Sequence, residues 1–231
     1  MCKFYRIIIL FLFIFILFPY SANSHVEHYD KLNRIKFDIY RNNTHIGHHI
    51  FVFKRSNEQQ QLEVKSEINF EIKKLGIVLY TYEVKGTEVF ENGQLIKFNS
   101  KTNQNGKEKY VNLNLENGEY KIDGSSYQGK APTDYLLGTW WNHGIVNAEA
   151  QISAVSGRII KQKVTFLGKE TLKIDNKTYK TLHFNFSSTD KKLDKDKKLN
   201  TDVWYDEETL NWVKASLKKK GNWEYKLVYI D

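Results

Sequence analysis

Three histidines crowd residues 45–49 of this chain: His45, His48 and His49. Imidazole is the commonest metal ligand and carries protons near neutral pH. The segment around them alternates like a strand, where successive side chains point to opposite faces. That places His45 and His49 on one face and His48 on the other. Two same-face positions four apart lie ~13 Å from each other along a strand. They cannot grip one ion together, so no metal site is expected. A second constellation surrounds Trp140-Trp141, with Asp134 before the pair, His143 after it, and Ser125 and Ser126 upstream. Ser, His and Asp are the residue types of acyl transfer. No G-x-S-x-G elbow frames either serine, and the one cysteine, Cys2, sits at the extreme N-terminus. No catalytic residue is assigned, and the segment reads as a lid or plug. Asp190, Asp194 and Asp196 lack the turn glycine and closing glutamate of a calcium loop, and lysines interrupt them. No cofactor is implied.

The N-terminus carries a different kind of information. Lys3 and Arg6 precede an apolar run, residues 7–18, which Pro19 ends. Ala22-Asn23-Ser24 then supplies small residues at a cleavage site. This is the layout of a secretory signal peptide. The run is shorter than the ~20 residues a membrane-crossing helix needs. The expectation is a leader over residues 1–24, a mature β-rich domain over 25–231, and no integral membrane span after cleavage. Cys2 leaves with the leader, so neither a disulfide nor thiolate chemistry remains. Lys3 and Arg6 also leave, and the net charge of +8 becomes +6. Abundant Lys, Asn and Ile suggest a bacterial source, and the expected location is periplasmic or secreted. No nucleic-acid-binding motif accompanies the positive charge, so a nucleic-acid partner is not expected.

The mature sequence alternates nearly throughout. Leu62, Val64, Ser66, Ile68, Phe70 and Ile72 form one face of a ribbon whose other face is Glu63, Lys65, Glu67, Asn69 and Glu71. One dry and one wet face is the habit of antiparallel sheets. Asn92-Gly93, Asn105-Gly106 and Asn117-Gly118 are hairpin dipeptides. About a dozen strands follow from this pattern, in two meanders near 33–123 and 158–230. In the last hairpin, Val213, Ala215 and Leu217 share one face, and Trp223, Tyr225, Leu227 and Tyr229 another. Residues 124–157 break the rhythm. Thr133 can cap a short helix that Gly138 ends, which predicts a helical insertion near 132–141. The fold class is all-β: a strongly curved antiparallel meander forming an incomplete barrel or half-barrel. A one-sided apolar sheet must roll up to hide that side, because burial is worth roughly 25 cal/mol per Å².

Several short stretches carry a resemblance: Ile35-Lys36-Phe37-Asp38-Ile39-Tyr40, His45-Ile46-Gly47, Trp140-Trp141-Asn142, Gly168-Lys169-Glu170, Val203-Trp204-Tyr205-Asp206 and Trp212-Val213. In this order they resemble a family of uncharacterised secreted bacterial proteins, a domain of unknown function. That family is similar in strand layout to half-barrel lipoprotein-carrier proteins of the bacterial envelope. The resemblance implies an open curved sheet with a hydrophobic concave side and brings no catalytic residues.

The functional expectation is non-catalytic binding or carriage of a hydrophobic molecule, such as a lipid or a lipid-modified partner. Leu136, Trp140, Trp141, Trp223 and Tyr225 are the expected cavity wall or lid. The alternative is a structural module with a solid core that binds an envelope protein; the third reading is a hydrolase.

Overall fold

The computed structural model describes residues 29, 31–56, 60–194 and 197–231. The expected leader therefore lies outside the described residues, as does Asp196. The chain forms β1 (Arg34–Arg41), β2 (Thr44–Ser56), β3 (Gln61–Lys74), β4 (Ile77–Glu91), β5 (Gln94–Gln104), β6 (Lys107–Glu116), β7 (Glu119–Gly124) and β8 (Tyr127–Ala131). Then come β9 (Leu136–Leu137), β10 (Ala150–Ile152), β11 (Ile159–Ile174), β12 (Lys177–Ser188), β13 (Asn200–Asp206), β14 (Trp212–Lys218) and β15 (Asn222–Ile230). All fifteen belong to one sheet ordered β8-β7-β6-β5-β4-β3-β2-β1-β15-β14-β13-β12-β11-β10-β9. Every pairing is antiparallel except β9 with β10. The first and last strands are neighbours, Ile35 opposite Ile230, so the two meanders run outward from a common centre.

The sheet is an incomplete barrel. Its free edges, β8 and β9, are consecutive in sequence but not hydrogen-bonded to each other. The loop after β10 spans the seam instead. Ser126 N–H donates to Ser156 O at 2.9 Å, and Ser100 Oγ donates to Ala154 O at 2.6 Å.

The hairpin dipeptides behave as their chemistry demands. Asn92, Asn105 and Asn117 adopt φ of 46°, 51° and 52°, each followed by a glycine at positive φ. These are the conformations that match the twist of paired strands. Leu62, Val64 and Phe70 are buried on the inner face, as the alternation requires.

Two bulges change which way side chains face. Between β1 and β2 the register skips at Ile39/Tyr40, so Tyr40 pairs with His45 and Ile46 is passed over. His45 is thereby turned outward, against Asp38 and the Tyr40 ring. His49 alone of the three is buried inside. The expectation that His45 and His49 share a face is therefore corrected. Between β1 and β15 the register skips at Lys36/Phe37. Tyr229 then falls opposite Lys36, under the Arg34 guanidinium, and not with Trp223, Tyr225 and Leu227.

Residues 132–141 are not helical. They hold β9, and the short helical insertion is a 3-10 turn at His143–Asn147, capped by the Asn142 side chain on Gly144 N–H. The segments 158–167 and 170–174 are one strand, β11. It continues through a bulge at Gly168, where φ is 129°.

Candidate functional site

The hairpins alternate between two ends of the barrel. The lower end carries the termini of the sheet, with Asn33 N–H donating to Asp231 O, and the turns after β4, β6 and β11. The upper end carries the turns after β1, β3, β5 and β14.

The lower half is filled by the segment between β9 and β10. Trp141 is fully buried, with ring edges to Tyr29 at 5.3 Å, Phe53 at 5.3 Å and Phe90 at 5.7 Å. Its Nε1–H donates to Glu88 Oε1 at 2.9 Å. Ile145 of the 3-10 turn is also fully buried. Tyr205 Oη donates to Trp140 O at 3.0 Å, and His143 N–H donates to Tyr29 Oη at 2.8 Å. The segment is thus a plug, tied to both meanders.

Glu88 is the carboxylate the sequence reading missed. It sits on the inner face of β4, opposite Val64. Burial pushes its carboxyl up to about 7, and hydrogen bonds from Trp141 and Thr139 offset this only in part. The signal was present: Glu88 falls in the inward series with Val84, Gly86 and Phe90. A lone acid in that series marks a buried hydrogen-bond partner.

Above the plug the inner wall changes character. Phe70 stacks on Tyr82 at 4.8 Å and lies parallel to Tyr80 at 6.2 Å. Trp223 meets Phe70 edge-on at 5.3 Å, and its Nε1–H donates to Lys219 O. Tyr80, Tyr82, Trp223 and Tyr225 are only half-buried. Burial raises the Tyr82 hydroxyl well above its usual range, with Tyr225 and Tyr80 adding to the shift; burial alone pushes Tyr225 up to about 12. Both phenols stay neutral near pH 7. Gly47 permits this packing: a Cβ there would stand 2.1 Å from Asn69 O and 2.5 Å from Phe70 Cα.

The floor of this aromatic wall is made by Trp140, Trp212, Tyr225 and His49. Trp140 meets Trp212 at 5.6 Å and Tyr225 at 6.4 Å, and His49 meets Trp212 at 5.9 Å and Tyr225 at 6.1 Å. Burial, with a smaller contribution from His48, lowers the His49 imidazole to about 3, so it is neutral. Trp140 Nε1, Trp212 Nε1 and His49 Nδ1 are buried and have no hydrogen-bond partner in the protein. A buried donor without a partner costs about 1–3 kcal/mol, so these three nitrogens mark a place suited to a polar group from elsewhere. On the upper rim, a cleft of about 500 Å³ opens between the β1–β2 turn and the end of β3, lined by Arg41, His45, Ile46, Gly47, Ile72 and Lys73.

The structure separates the five expected wall or lid residues. Trp223 and Tyr225 line the upper wall, and Trp140 roofs the plug beneath them. Trp141 lies in the packed lower core. Leu136 is half-buried in β9 at the seam. His143, the anchor of the hydrolase reading, is buried against Tyr205 at 4.7 Å and Phe184 at 5.9 Å, while Ser125 and Ser126 occupy the β7–β8 turn. On the outer face, His183 Nδ1 lies 2.7 Å from Glu170 Oε1 and its ring stacks on Trp204 at 4.1 Å. Among the described residues, no group of three or more His, Cys, Asp or Glu side chains is placed to hold a metal ion. Among them too, no helix is long and apolar enough to cross a membrane.

The family model for a domain of unknown function, DUF6134, matches residues 37–228. No curated protein matches the chain in sequence. A solved β-barrel-like protein of another domain of unknown function, DUF1849, from Brucella abortus, superposes with a TM-score of 0.58 at 10% identity, covering 86% of this chain and 96% of that one. A putative exported protein with a YmcC-like fold from Bacteroides fragilis gives a TM-score of 0.36 at 9% identity, over 86% of this chain and 94% of that one. The first likeness supports the barrel-like fold and nothing finer.

Proposed function

The chain belongs to this family of unknown function, and from that premise we propose that it is an exported, non-catalytic binder or carrier of a hydrophobic ligand. The observation that carries this reading is the unequal filling of the barrel. The lower half is closed by its own plug, whereas Tyr80, Tyr82, Trp223 and Tyr225, around the buried Phe70, line an upper half with partly covered aromatic surface. Ligand sites are mostly apolar with a few placed polar groups, and the three unpartnered nitrogens on the floor fit that description. The ligand this arrangement suits is amphipathic: an acyl or other apolar chain against the aromatic wall, with a hydrogen-bond acceptor such as an ester or amide carbonyl near the Trp140 and Trp212 indoles. Export rests on the leader pattern of residues 1–24. Native mass spectrometry of the protein taken from its own compartment, followed by solvent extraction, tests the reading. A co-purifying apolar molecule is expected. An apo mass together with no uptake of added fatty acid or phospholipid supports a solid interaction module in its place.

A further inference from the structure

The β3–β4 hairpin outgrows its neighbours. β2 pairs with β3 only as far as Gly47 opposite Phe70, and β5 pairs with β4 only as far as Gln104 opposite Tyr82. Thr81 is still held by Asn105, whose N–H donates to Thr81 O at 2.9 Å, and beyond it residues 71–74 and 77–80 pair only with each other in the sheet. The projecting tip is apolar and bare to solvent: Leu75 is 94% exposed, Ile77 66%, Leu79 55% and Val78 45%. Exposed apolar groups clustered this way usually mark an interaction site.

The turn itself departs from the chain's own habit. Asn occupies the first positive-φ position in the turns at 42–43, 92–93, 105–106 and 117–118. At 75–76 that position is leucine, with φ of 52°, followed by Gly76 at φ of 80°. Leucine gains nothing in this conformation, which suits Asn and Gly. A local rule broken at an exposed position points to a use outside the fold.

Charge identifies the partner. The upper end carries exposed Lys73, Lys74, Lys107, Lys218, Lys219 and Lys220, with Lys191, Lys192 and Lys198 in the loop after β12, against exposed Glu108, Asp190 and Asp194; Lys73 pairs with Glu71. The lower end carries exposed Glu91, Glu116, Glu119, Asp175, Glu208 and Asp231 against exposed Lys31 and Lys177, and Glu116 and Glu119 pair with Lys121 and Lys130. The barrel is therefore polarised, basic at the end where the apolar tip protrudes. An apolar tip ringed by lysines is complementary to an anionic bilayer: the side chains enter the acyl boundary and the ammonium groups meet the headgroups.

We propose that the β3–β4 tip and the upper-end lysines dock this protein on an anionic lipid surface, mouth first. This stands on the hairpin and the charge distribution, and not on occupancy of the barrel. Ile72 and Tyr80, paired at the base of the projection, and Phe70 and Tyr82 just below, continue the tip into the aromatic wall. Docking in this pose sets the ligand wall against the membrane.

Co-sedimentation of the mature chain with vesicles tests it, comparing phosphatidylcholine alone with phosphatidylcholine mixed with phosphatidylglycerol. Binding is expected to the mixed vesicles and to weaken as salt rises. L75D/I77D, exposed enough to leave the fold intact by circular dichroism, is expected to bind on the order of tenfold more weakly or worse. Lys74→Glu and Lys218→Glu should each weaken binding by about fivefold or more, since a lysine near such a surface is worth about 1 kcal/mol. Lys177→Glu, the same charge change at the lower end, should leave binding unchanged. Equal binding by wild type and L75D/I77D, or equal sensitivity to Lys74→Glu and Lys177→Glu, overturns the proposal. So does wild-type binding that ignores phosphatidylglycerol. Ligand retention by L75D/I77D in native mass spectrometry keeps this result separate from the ligand-binding reading.

Discussion

The two halves of the barrel are built from the same strands but end differently. In the lower half the inward residues meet a plug tied in by hydrogen bonds. Trp141 bonds Glu88, Tyr205 bonds the Trp140 carbonyl, and Tyr29 accepts from His143. In the upper half Tyr80, Tyr82, Trp223 and Tyr225 are only partly covered, and nitrogens at the boundary lack partners. The same strands thus carry a fully covered set of aromatics in one half and a partly covered set in the other. On the proposed reading, the difference separates residues that hold the fold from residues that would meet a ligand.

Substitutions can break or sharpen that contrast. The largest effect is expected from Trp141→Ala, which empties the centre of the plug and strands Glu88. Large-to-small changes of this kind cost about 3–5 kcal/mol, read as a lowered midpoint in urea.

Glu88→Gln should act in the other direction, and only above mild acidity. The carboxyl has a pKa of about 7 folded and an ordinary carboxylate value unfolded. The unfolded chain therefore releases its proton first, and stability falls as pH rises between about 4.5 and 7. An amide keeps an acceptor for Trp141 without that loss, so the variant should gain at most about 3 kcal/mol at pH 8 and nothing near pH 4. His49 has the opposite sign. Its folded value of about 3 lies below the unfolded one, so stability is lost as pH falls from about 6.5 towards 3. The wild type should show a shallow plateau where the two slopes oppose, and Glu88→Gln should replace it with a rise up to about pH 6.5. A pH series of thermal melts checks both slopes.

Gly47→Ala comes next. The added methyl has no room beside Asn69 O and Phe70, and overpacking of this kind costs about 1–3 kcal/mol. Strand separation there should also disturb the wall and weaken uptake of an apolar probe. The smallest change in stability belongs to Trp223→Ala. Its ring is partly exposed and loses the Phe70 edge contact, the Arg41 guanidinium over its face and one hydrogen bond, about 2 kcal/mol together. Its effect should instead appear as weaker binding of an apolar probe, with Trp141→Ala showing the reverse pattern.

Much of the fold was legible because the alternation from Leu62 to Ile72 leaves no other way to hide one face. The Asn-Gly turns set the register of three hairpins. What escaped were places where one residue shifts the register. A bulge passes over Ile46 and turns His45 outward; another sends Tyr229 to the far side from Tyr225. Bulges arise from pairing with a neighbouring strand, which periodicity along one strand does not contain. The helix expected at 132–141 failed for a related reason. Trp140 sits at φ of 60°, held by contacts to Trp212 and Tyr205, so tertiary packing overrode the capping signal at Thr133. Of the five expected wall or lid residues, Trp223 and Tyr225 share a face of β15, which their alternation makes legible. The stacking of Phe70 with Tyr80 and Tyr82 was not legible, since inward aromatics of an upper and a lower half look alike until the plug shows where filling stops.

A diazirine-bearing fatty acid, photolysed on the purified protein and mapped by peptide mass spectrometry, tests the asymmetry most directly. Adducts should concentrate on β3, β4 and β15 at Phe70, Tyr80, Tyr82, Trp223 and Tyr225, and spare Trp141, Phe53 and Phe90. Labelling spread evenly over the outer face, or absent from the upper wall, would contradict a barrel half closed and half reserved for a ligand.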